Sequence, residues 1–96
     1  MRTYEAVLIV NPDLDEEALN GVVDRVKNWM TESGGTITKV DMWGKRRMAY
    51  IIHKQREAHY VLIVAELDPS STAELERNLR FLEPVMRYML TVTEHD

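Results

Sequence analysis

Apolar residues recur along the chain with two different periods, one extended and one helical. Residues 2–10 end in a nearly continuous apolar run, which is typical of a central β-strand. Further on, apolar residues recur at spacings of three and four, which places them in one stripe along a helix. The stripe consists of Leu19, Val22, Val23, Val26, Trp29 and Met30. A strand followed by an amphipathic helix is therefore predicted for the first third of the chain.

Turn-forming residues mark both ends of this helix. Residues 11–13 read Asn-Pro-Asp, and Asp13 with Glu16 three residues later resembles a capping box. Gly34-Gly35 ends the helix, because glycine tolerates the positive φ that a helix C-terminus often requires. We therefore expect Asp13 to cap the helix.

Two further strands are predicted in the middle of the chain. Residues 36–53 favour one long strand or a bent pair of strands, with a bulge at Gly44. Residues 55–58 are the expected hairpin loop, and residues 59–67 have a strong β composition.

A second helix and a last strand complete the pattern. Asp68-Pro69 is a helix start, with aspartate as the N-cap and proline at the first helical position. Glu83-Pro84 ends that helix, because the residue before proline is disfavoured in helical geometry. Residues 85–92 are the last strand and residues 93–96 a short polar tail. The buried helical stripe is Leu75, Leu79 and Leu82.

The resulting order, β-α-β-β-α-β, predicts an α+β fold over one domain, residues 1–96. Four antiparallel strands with two helices on one face make a ferredoxin-like sandwich. Right-handed crossovers place the first and third strands in the centre of the sheet.

Alternation along each strand assigns its residues to the helix side or to the open face of the sheet. Residues 4, 6, 8 and 10, residues 61, 63, 65 and 67, and residues 86, 88, 90 and 92 are assigned to the helix side. The opposite set remains apolar and predicts a partner-binding patch, although scattered exposed apolar residues are common. The patch contains Val7, Ile9, Leu62, Val64 and Met89.

Charge is distributed unevenly along the 96 residues, whose net charge is −4. Residues 45–56 contain five of the 12 lysines and arginines and no acid, so the remainder has a net charge of −9. This basic segment fits either a phosphate-backbone footprint or an edge strand protected from aggregation. The five cations are Lys45, Arg46, Arg47, Lys54 and Arg56.

The residues that several classes of function require are absent from the sequence. The chain has no cysteine, and its longest apolar runs, residues 6–10 and 60–65, are far short of the ~20 residues that span a bilayer. No secretory signal is visible at the N-terminus. His53 and His59 flank the proposed hairpin and could approach each other, but two histidines make a weak metal site. No phosphate-binding loop or nucleophile–base pair occurs, so neither an enzyme nor a cofactor is expected.

Nucleic-acid binding through stacked bases is also disfavoured. On the face assignment above, Tyr60 points to the open face, whereas Tyr4 and Tyr88 do not, and the RNP1 pattern is absent. Trp43 is expected to be a core residue at a strand end. Contact between the basic segment and a phosphate backbone is the remaining mode, and arginine suits it because its planar fork pairs two phosphate oxygens.

The basic segment also contains a recognisable string, Gly-Lys-Arg-Arg-x-Ala-Tyr-x-Ile over residues 44–52. With it, nearly the whole chain resembles bacterial small-subunit ribosomal protein six. Met48 stands where that family more usually has leucine, a tolerable apolar replacement. The remaining matches are Arg2-Thr3-Tyr4-Glu5, Asn11-Pro12, Gly34-Gly35 and Val85-Met86-Arg87-Tyr88.

The resemblance implies a ferredoxin-like, non-catalytic structural component of the small ribosomal subunit, located on the ribosome in the cytoplasm. It implies binding to the central domain of small-subunit ribosomal RNA together with small-subunit protein eighteen, without a membrane, small-molecule substrate, metal or cofactor. The alternative function is a self-associating ferredoxin-like ligand-binding module; a small hydrolase is disfavoured. By motif position, the expected RNA and partner residues are Arg2, Lys45, Arg46, Arg47, Tyr50 and Arg87.

Overall fold

A computed structural model describes residues 1–93 of the chain, and the expected polar tail beyond Thr93 lies outside the described residues. The elements follow the predicted order, with one short 3₁₀ turn, Pro69–Ser71, preceding the second helix. They are β1 (Arg2–Val10), α1 (Glu16–Glu32), β2 (Thr36–Ile52), β3 (Gln55–Leu67), α2 (Thr72–Phe81) and β4 (Val85–Thr93).

Across residues 1–93 the four strands form one antiparallel sheet in the order β2-β3-β1-β4. The first and third strands lie in the centre, as the crossover rule predicts. Both helices pack on one face, where Leu8, Val26 and Ile63 are almost fully buried in the main core. The ferredoxin-like sandwich predicted from the sequence is therefore confirmed. No helix within these residues is long and apolar enough to cross a membrane.

The predicted faces of β1 and β3 are correct, but the start of β4 departs from simple alternation. The register between β1 and β4 shifts at Ile9/Val10, and Val10 pairs with Val85. Val85 is consequently buried in the main core, whereas Met86 packs with Ile9 on the open face. The assignment of Met86 to the helix side was wrong because the irregularity reverses alternation at this point.

The start of α1 also differs from its prediction. Asp15 is the N-cap, and its carboxylate accepts a hydrogen bond from the Ala18 amide at 2.8 Å. Asp13 instead lies in a turn in which its amide donates to Asn11 Oδ1 at 2.8 Å. The predicted capping box at Asp13 was wrong because the asparagine turn delays the helix by two residues.

The second helical segment begins at Asp68, as predicted, but its first turn is 3₁₀. Hydrogen bonds from the Ser70 amide and hydroxyl, each 2.9 Å long, lower the pKa of the Asp68 carboxyl. Leu75, Leu79 and Leu82 are buried, which confirms the predicted stripe.

The turn between β2 and β3 is shorter than predicted. Only His53 and Lys54 separate the strands, and both adopt positive φ, 49° and 65°. Paired positive φ values are typical of the two-residue turns that match the twist of a hairpin. Residues 55–58, predicted as a loop, therefore belong to β3.

A second, smaller core lies on the open face beneath this hairpin. Ile9 of β1, Met48 of β2 and Ala58 of β3 are buried together there. Ile52, Tyr60 and Met86 are partly buried against them. Of the residues that the sequence placed in an exposed patch, Ile9 is covered by this second core and Leu62 is also buried, whereas Met89 remains 48% exposed.

Candidate nucleic-acid interface

The basic segment forms the end of the long β2-β3 hairpin. Gly44 lies at a register shift of β2 with φ of 84°, so the predicted bulge is present. Beyond it, Lys45 pairs with His59 and Arg46 with Ala58. Cross-strand partners project to the same side of a sheet. Arg46 is therefore on the open face with Ala58, and Lys45 and Arg47 are on the opposite side.

The cations of the hairpin are exposed, and none of them forms an ion pair with a carboxylate of residues 1–93. Lys45, Arg46, Arg47, Lys54 and Arg56 are all exposed to solvent. Within residues 1–93 the ion pair present is that between Asp24 and Lys27 on α1, with its N and O atoms 4.0 Å apart. The hairpin consequently presents a concentrated positive charge to the solvent on a body that is otherwise acidic.

Trp43 lies beside these cations on the surface, 36% exposed, so its assignment to the core was wrong. Its ring stacks on Tyr60 with the centroids 6.5 Å apart and an interplanar angle of 18°. Its indole Nε1 donates to Asp41 Oδ2 at 3.0 Å. The Arg46 guanidinium lies 5.6 Å from the centre of the Trp43 ring, close enough for a cation–π interaction. The aromatic ring therefore helps to orient one of the cations.

Tyr50 and Arg87 are brought together although they are distant in the sequence. Arg87 Nη1 of β4 donates a hydrogen bond to Tyr50 Oη of β2 at 2.5 Å. Both side chains lie over the open face of the sheet, because Arg87 pairs with Ile9 of β1 and Ile9 belongs to the second core.

Arg2 is exposed, but it is not part of this cluster. It pairs with Leu67 at one end of β3, whereas Arg47 pairs with Glu57, ten positions away along the same strand. At about 3.3 Å per residue, this is on the order of 30 Å along the strand. Of the six predicted site residues, Tyr50 and Arg87 are in contact with each other. Lys45, Arg46 and Arg47 are consecutive on β2 but project to both sides of it, and Arg2 lies at the opposite end of the sheet.

The histidines of the described chain do not form a metal site. His59 Nε2 lies 3.0 Å from the carbonyl oxygen of Leu14 and links β3 to the segment before α1. His53 lies in the hairpin turn instead. Within residues 1–93 no three histidine, aspartate or glutamate side chains are close enough together to hold a metal ion, and His95 falls beyond the described residues.

The stack of Trp43 on Tyr60 was not predicted from the sequence, although a usable signal was present. Trp43 stands next to the bulged Gly44 and three residues before Arg46. A bulge alters the direction of the preceding side chain, so alternation alone cannot assign that side chain to a face.

Fold and surface together define a ferredoxin-like protein with an exposed cationic hairpin. The family model described as Ribosomal protein S6 matches residues 3–91. The chain belongs to this family of ribosomal proteins of the small subunit, so the expected ribosomal, cytoplasmic location is also confirmed.

Individual relatives match over almost the whole chain. Small ribosomal subunit protein bS6 of Moorella thermoacetica is 44% identical over 96 residues, which cover 100% of this chain and 98% of that protein. The protein of the same name from Caldanaerobacter subterraneus is 44% identical over 94 residues, covering 98% of this chain and 99% of that protein.

Solved structures give the same fold. The crystal structure of 30S ribosomal protein S6 from Thermotoga maritima matches with a TM-score of 0.91 and 33% identity, over 96% of this chain and 87% of that chain. The solution structure of the C-terminal domain of the MgtC protein from Mycobacterium tuberculosis matches with a TM-score of 0.66 and 11% identity, over 99% of this chain and 90% of that chain. At this low identity the second match concerns the fold alone.

Proposed function

We propose that the chain is a non-catalytic structural component of the small ribosomal subunit, which binds the central domain of its RNA together with small-subunit protein eighteen. The observation that carries this proposal is the exposed hairpin, whose five cations make no ion pair within residues 1–93. Membership of the ribosomal protein S6 family supports it.

The charge arrangement suits a folded RNA. Because Lys45, Arg46 and Arg47 project from both sides of one strand, the hairpin can place cations on two phosphate-lined surfaces at once. The guanidinium of an arginine can pair two phosphate oxygens in its plane, which a lysine cannot do. Binding to the phosphate backbone of RNA needs no catalytic group, metal or cofactor.

The protein partner requires a surface of different chemistry. Part of the open face remains available, because Met89 is 48% exposed and its neighbour Val7 is only partly buried. An exposed apolar area beside a cationic hairpin fits a binding surface shared between a protein and RNA. The proposed RNA and partner residues are Arg2, Lys45, Arg46, Arg47, Tyr50 and Arg87.

Substituting the two central arginines tests the proposal. The double variant R46A/R47A should bind the central-domain RNA fragment more weakly, in the presence and in the absence of protein eighteen. The slope of log K against log salt should become shallower by roughly one unit for each phosphate group that the variant no longer neutralises. Filter binding or fluorescence anisotropy between about 50 and 200 mM salt would measure both quantities.

A matched control is available on α2, where Arg77 and Arg80 are also exposed. The variant R77A/R80A has the same change in net charge but should retain the affinity and the salt slope of the unmodified protein. If R46A/R47A is folded and binds RNA with unchanged affinity and slope, the proposed function is wrong.

The alternative is a self-associating ligand-binding module that uses the exposed part of the open face. Size-exclusion chromatography of the purified chain separates the two functions. A stable homodimer without affinity for the RNA fragment would support self-association instead of ribosomal RNA binding.

A further inference from the structure

Tyr50 and Arg87 connect the two edge strands of the sheet. In the order β2-β3-β1-β4, two strands lie between them. Neighbouring strands are about 4.8 Å apart, so β2 and β4 would be separated by roughly 14 Å in a flat sheet. Two long side chains that meet over the open face cover this distance, and the hydrogen bond from Arg87 Nη1 to Tyr50 Oη closes it.

The connection lies next to the second core. Met48, two residues before Tyr50 on β2, is buried against Ile9 of β1 and Ala58 of β3. Met86, the residue before Arg87, packs against the same cluster. The apolar contacts and the hydrogen bond therefore hold the hairpin over the same end of the sheet.

The hairpin needs such a support because few other contacts hold its end in place. Residues 53, 54, 56 and 57 at the tip are exposed, and so are Tyr50 and Ile51 of β2. The register with β3 is irregular between Arg47 and Ile52. Strand ends with exposed backbone hydrogen bonds and few buried contacts open more readily than the centre of a sheet.

We propose that Arg87 and Tyr50 are positioning residues, whose hydrogen bond fixes the β2-β3 hairpin against the sheet and so presents Arg46 and Arg47 to RNA in one arrangement. This inference rests on the proposed function and divides five of the six proposed residues, all except Arg2, by role. Lys45, Arg46 and Arg47 contact phosphate, whereas Arg87 and Tyr50 act through them.

Preorganisation is the physical reason for an effect on binding. A hairpin that moves relative to the body loses conformational freedom when it binds, and this loss weakens the affinity. A hydrogen bond already present in the free protein reduces the loss. Deleting this hydrogen bond removes no contact between a cation and a phosphate. The affinity for RNA should therefore fall while the salt slope stays constant.

The test uses Y50F, R87M and the double variant Y50F/R87M. Y50F removes only the accepting oxygen and keeps the aromatic ring and every cation. We expect each single variant to bind the RNA fragment about 3- to 10-fold more weakly, with an unchanged salt slope. The affinity of the double variant should not fall below that of the weaker-binding single variant, because all three variants lack the same hydrogen bond.

Hydrogen exchange of the free protein provides a readout that does not depend on RNA. Amides of residues 46–56 should exchange faster in Y50F and R87M than in the unmodified protein. Y88F is the matched control, because Tyr88 Oη donates to Glu76 Oε1 at 3.4 Å on the helix side, away from the hairpin. Its hairpin exchange and RNA affinity should not change.

Three results would overturn the inference. Unchanged hairpin exchange in both single variants would show that the bond does not hold the hairpin. Faster exchange with unchanged affinity would show that the restraint is irrelevant to binding. A shallower salt slope in R87M, with Y50F unaffected, would make Arg87 a phosphate contact. In each case, loss of binding in R46A/R47A would leave the proposed function standing.

Discussion

At the scale of single residues, Gly35 illustrates how tightly α1 is joined to β2. A Cβ at this position would lie 2.5 Å from Leu67 Cδ2 and 2.7 Å from the carbonyl oxygen of Met30. That carbonyl also accepts the Gly35 amide hydrogen bond at 3.0 Å, so it cannot move away freely. The position therefore requires glycine because of close approach, whereas its neighbour Gly34 requires it because of a φ of 93°.

Replacing Gly35 with alanine should lower the free energy of unfolding by about 1–3 kcal/mol, as overpacking usually does. The control is Gly21 in α1, where a Cβ would have nothing within 4 Å. G21A should raise the free energy of unfolding by about 0.5–1 kcal/mol, because alanine is the better helix former. Urea unfolding of both variants measures these changes. Equal effects of G35A and G21A would contradict the role of close approach.

Residue types were predicted more reliably than the exact residue that performs a role. The sequence indicated an aspartate cap at the start of α1, and the structure has one, but at Asp15 instead of Asp13. The choice depends on whether the Asn11 side chain accepts a local hydrogen bond, which spacing does not reveal. The exposed position of Trp43 was similarly hidden, because it follows from the Gly44 bulge.

At the scale of elements, the N-terminus of α1 distinguishes a cap at Asp15 from a cap at Asp13. D15A should lower the free energy of unfolding by about 1 kcal/mol, because the Ala18 amide loses its acceptor. D13A should change it by less than about 0.5 kcal/mol, since the Asn11 turn uses the backbone amide of residue 13. Thermal or urea unfolding distinguishes the two. A larger loss in D13A would restore the capping box predicted from the sequence.

The β2-β3 hairpin shows why element boundaries were harder to predict than element types. Its turn, His53-Lys54, lacks the asparagine and glycine that usually mark two-residue turns with positive φ. The polar composition of residues 55–58 therefore favours a loop prediction. Pairing of Ile52 with Gln55 and Arg47 with Glu57 keeps that stretch extended. Tertiary pairing outweighed the local composition here.

At the scale of the whole molecule, the sheet carries apolar clusters on both faces. The main core was predictable, because strand alternation and helical stripes identify the same facing residues. The second core was not, since it depends on a long hairpin bringing Met48 over Ile9. Strand order followed from the handedness of crossovers, but no sequence rule gives the packing of a long hairpin against the open face of its own sheet.

The contribution of the second core to stability can be measured by truncating Met48, which is 8% exposed. M48A should lower the free energy of unfolding by about 1–3 kcal/mol. This loss is smaller than most methionine-to-alanine substitutions cause in a large core, because the cluster is small. Met42, on the same strand but 41% exposed, is the control. M42A should change the value by no more than about 0.5 kcal/mol. Equal effects in urea unfolding would show that the cluster adds no stability.

The placement of the five hairpin cations outside both apolar clusters separates the charge of the surface from the stability of the fold. All five are exposed, and none of them belongs to either cluster. Mutations at these positions can raise or lower the attraction for a polyanion while the free energy of unfolding stays nearly the same. The electrostatic surface and the stability of the fold can therefore be altered separately by substitution, the first at the hairpin cations and the second in the two apolar clusters.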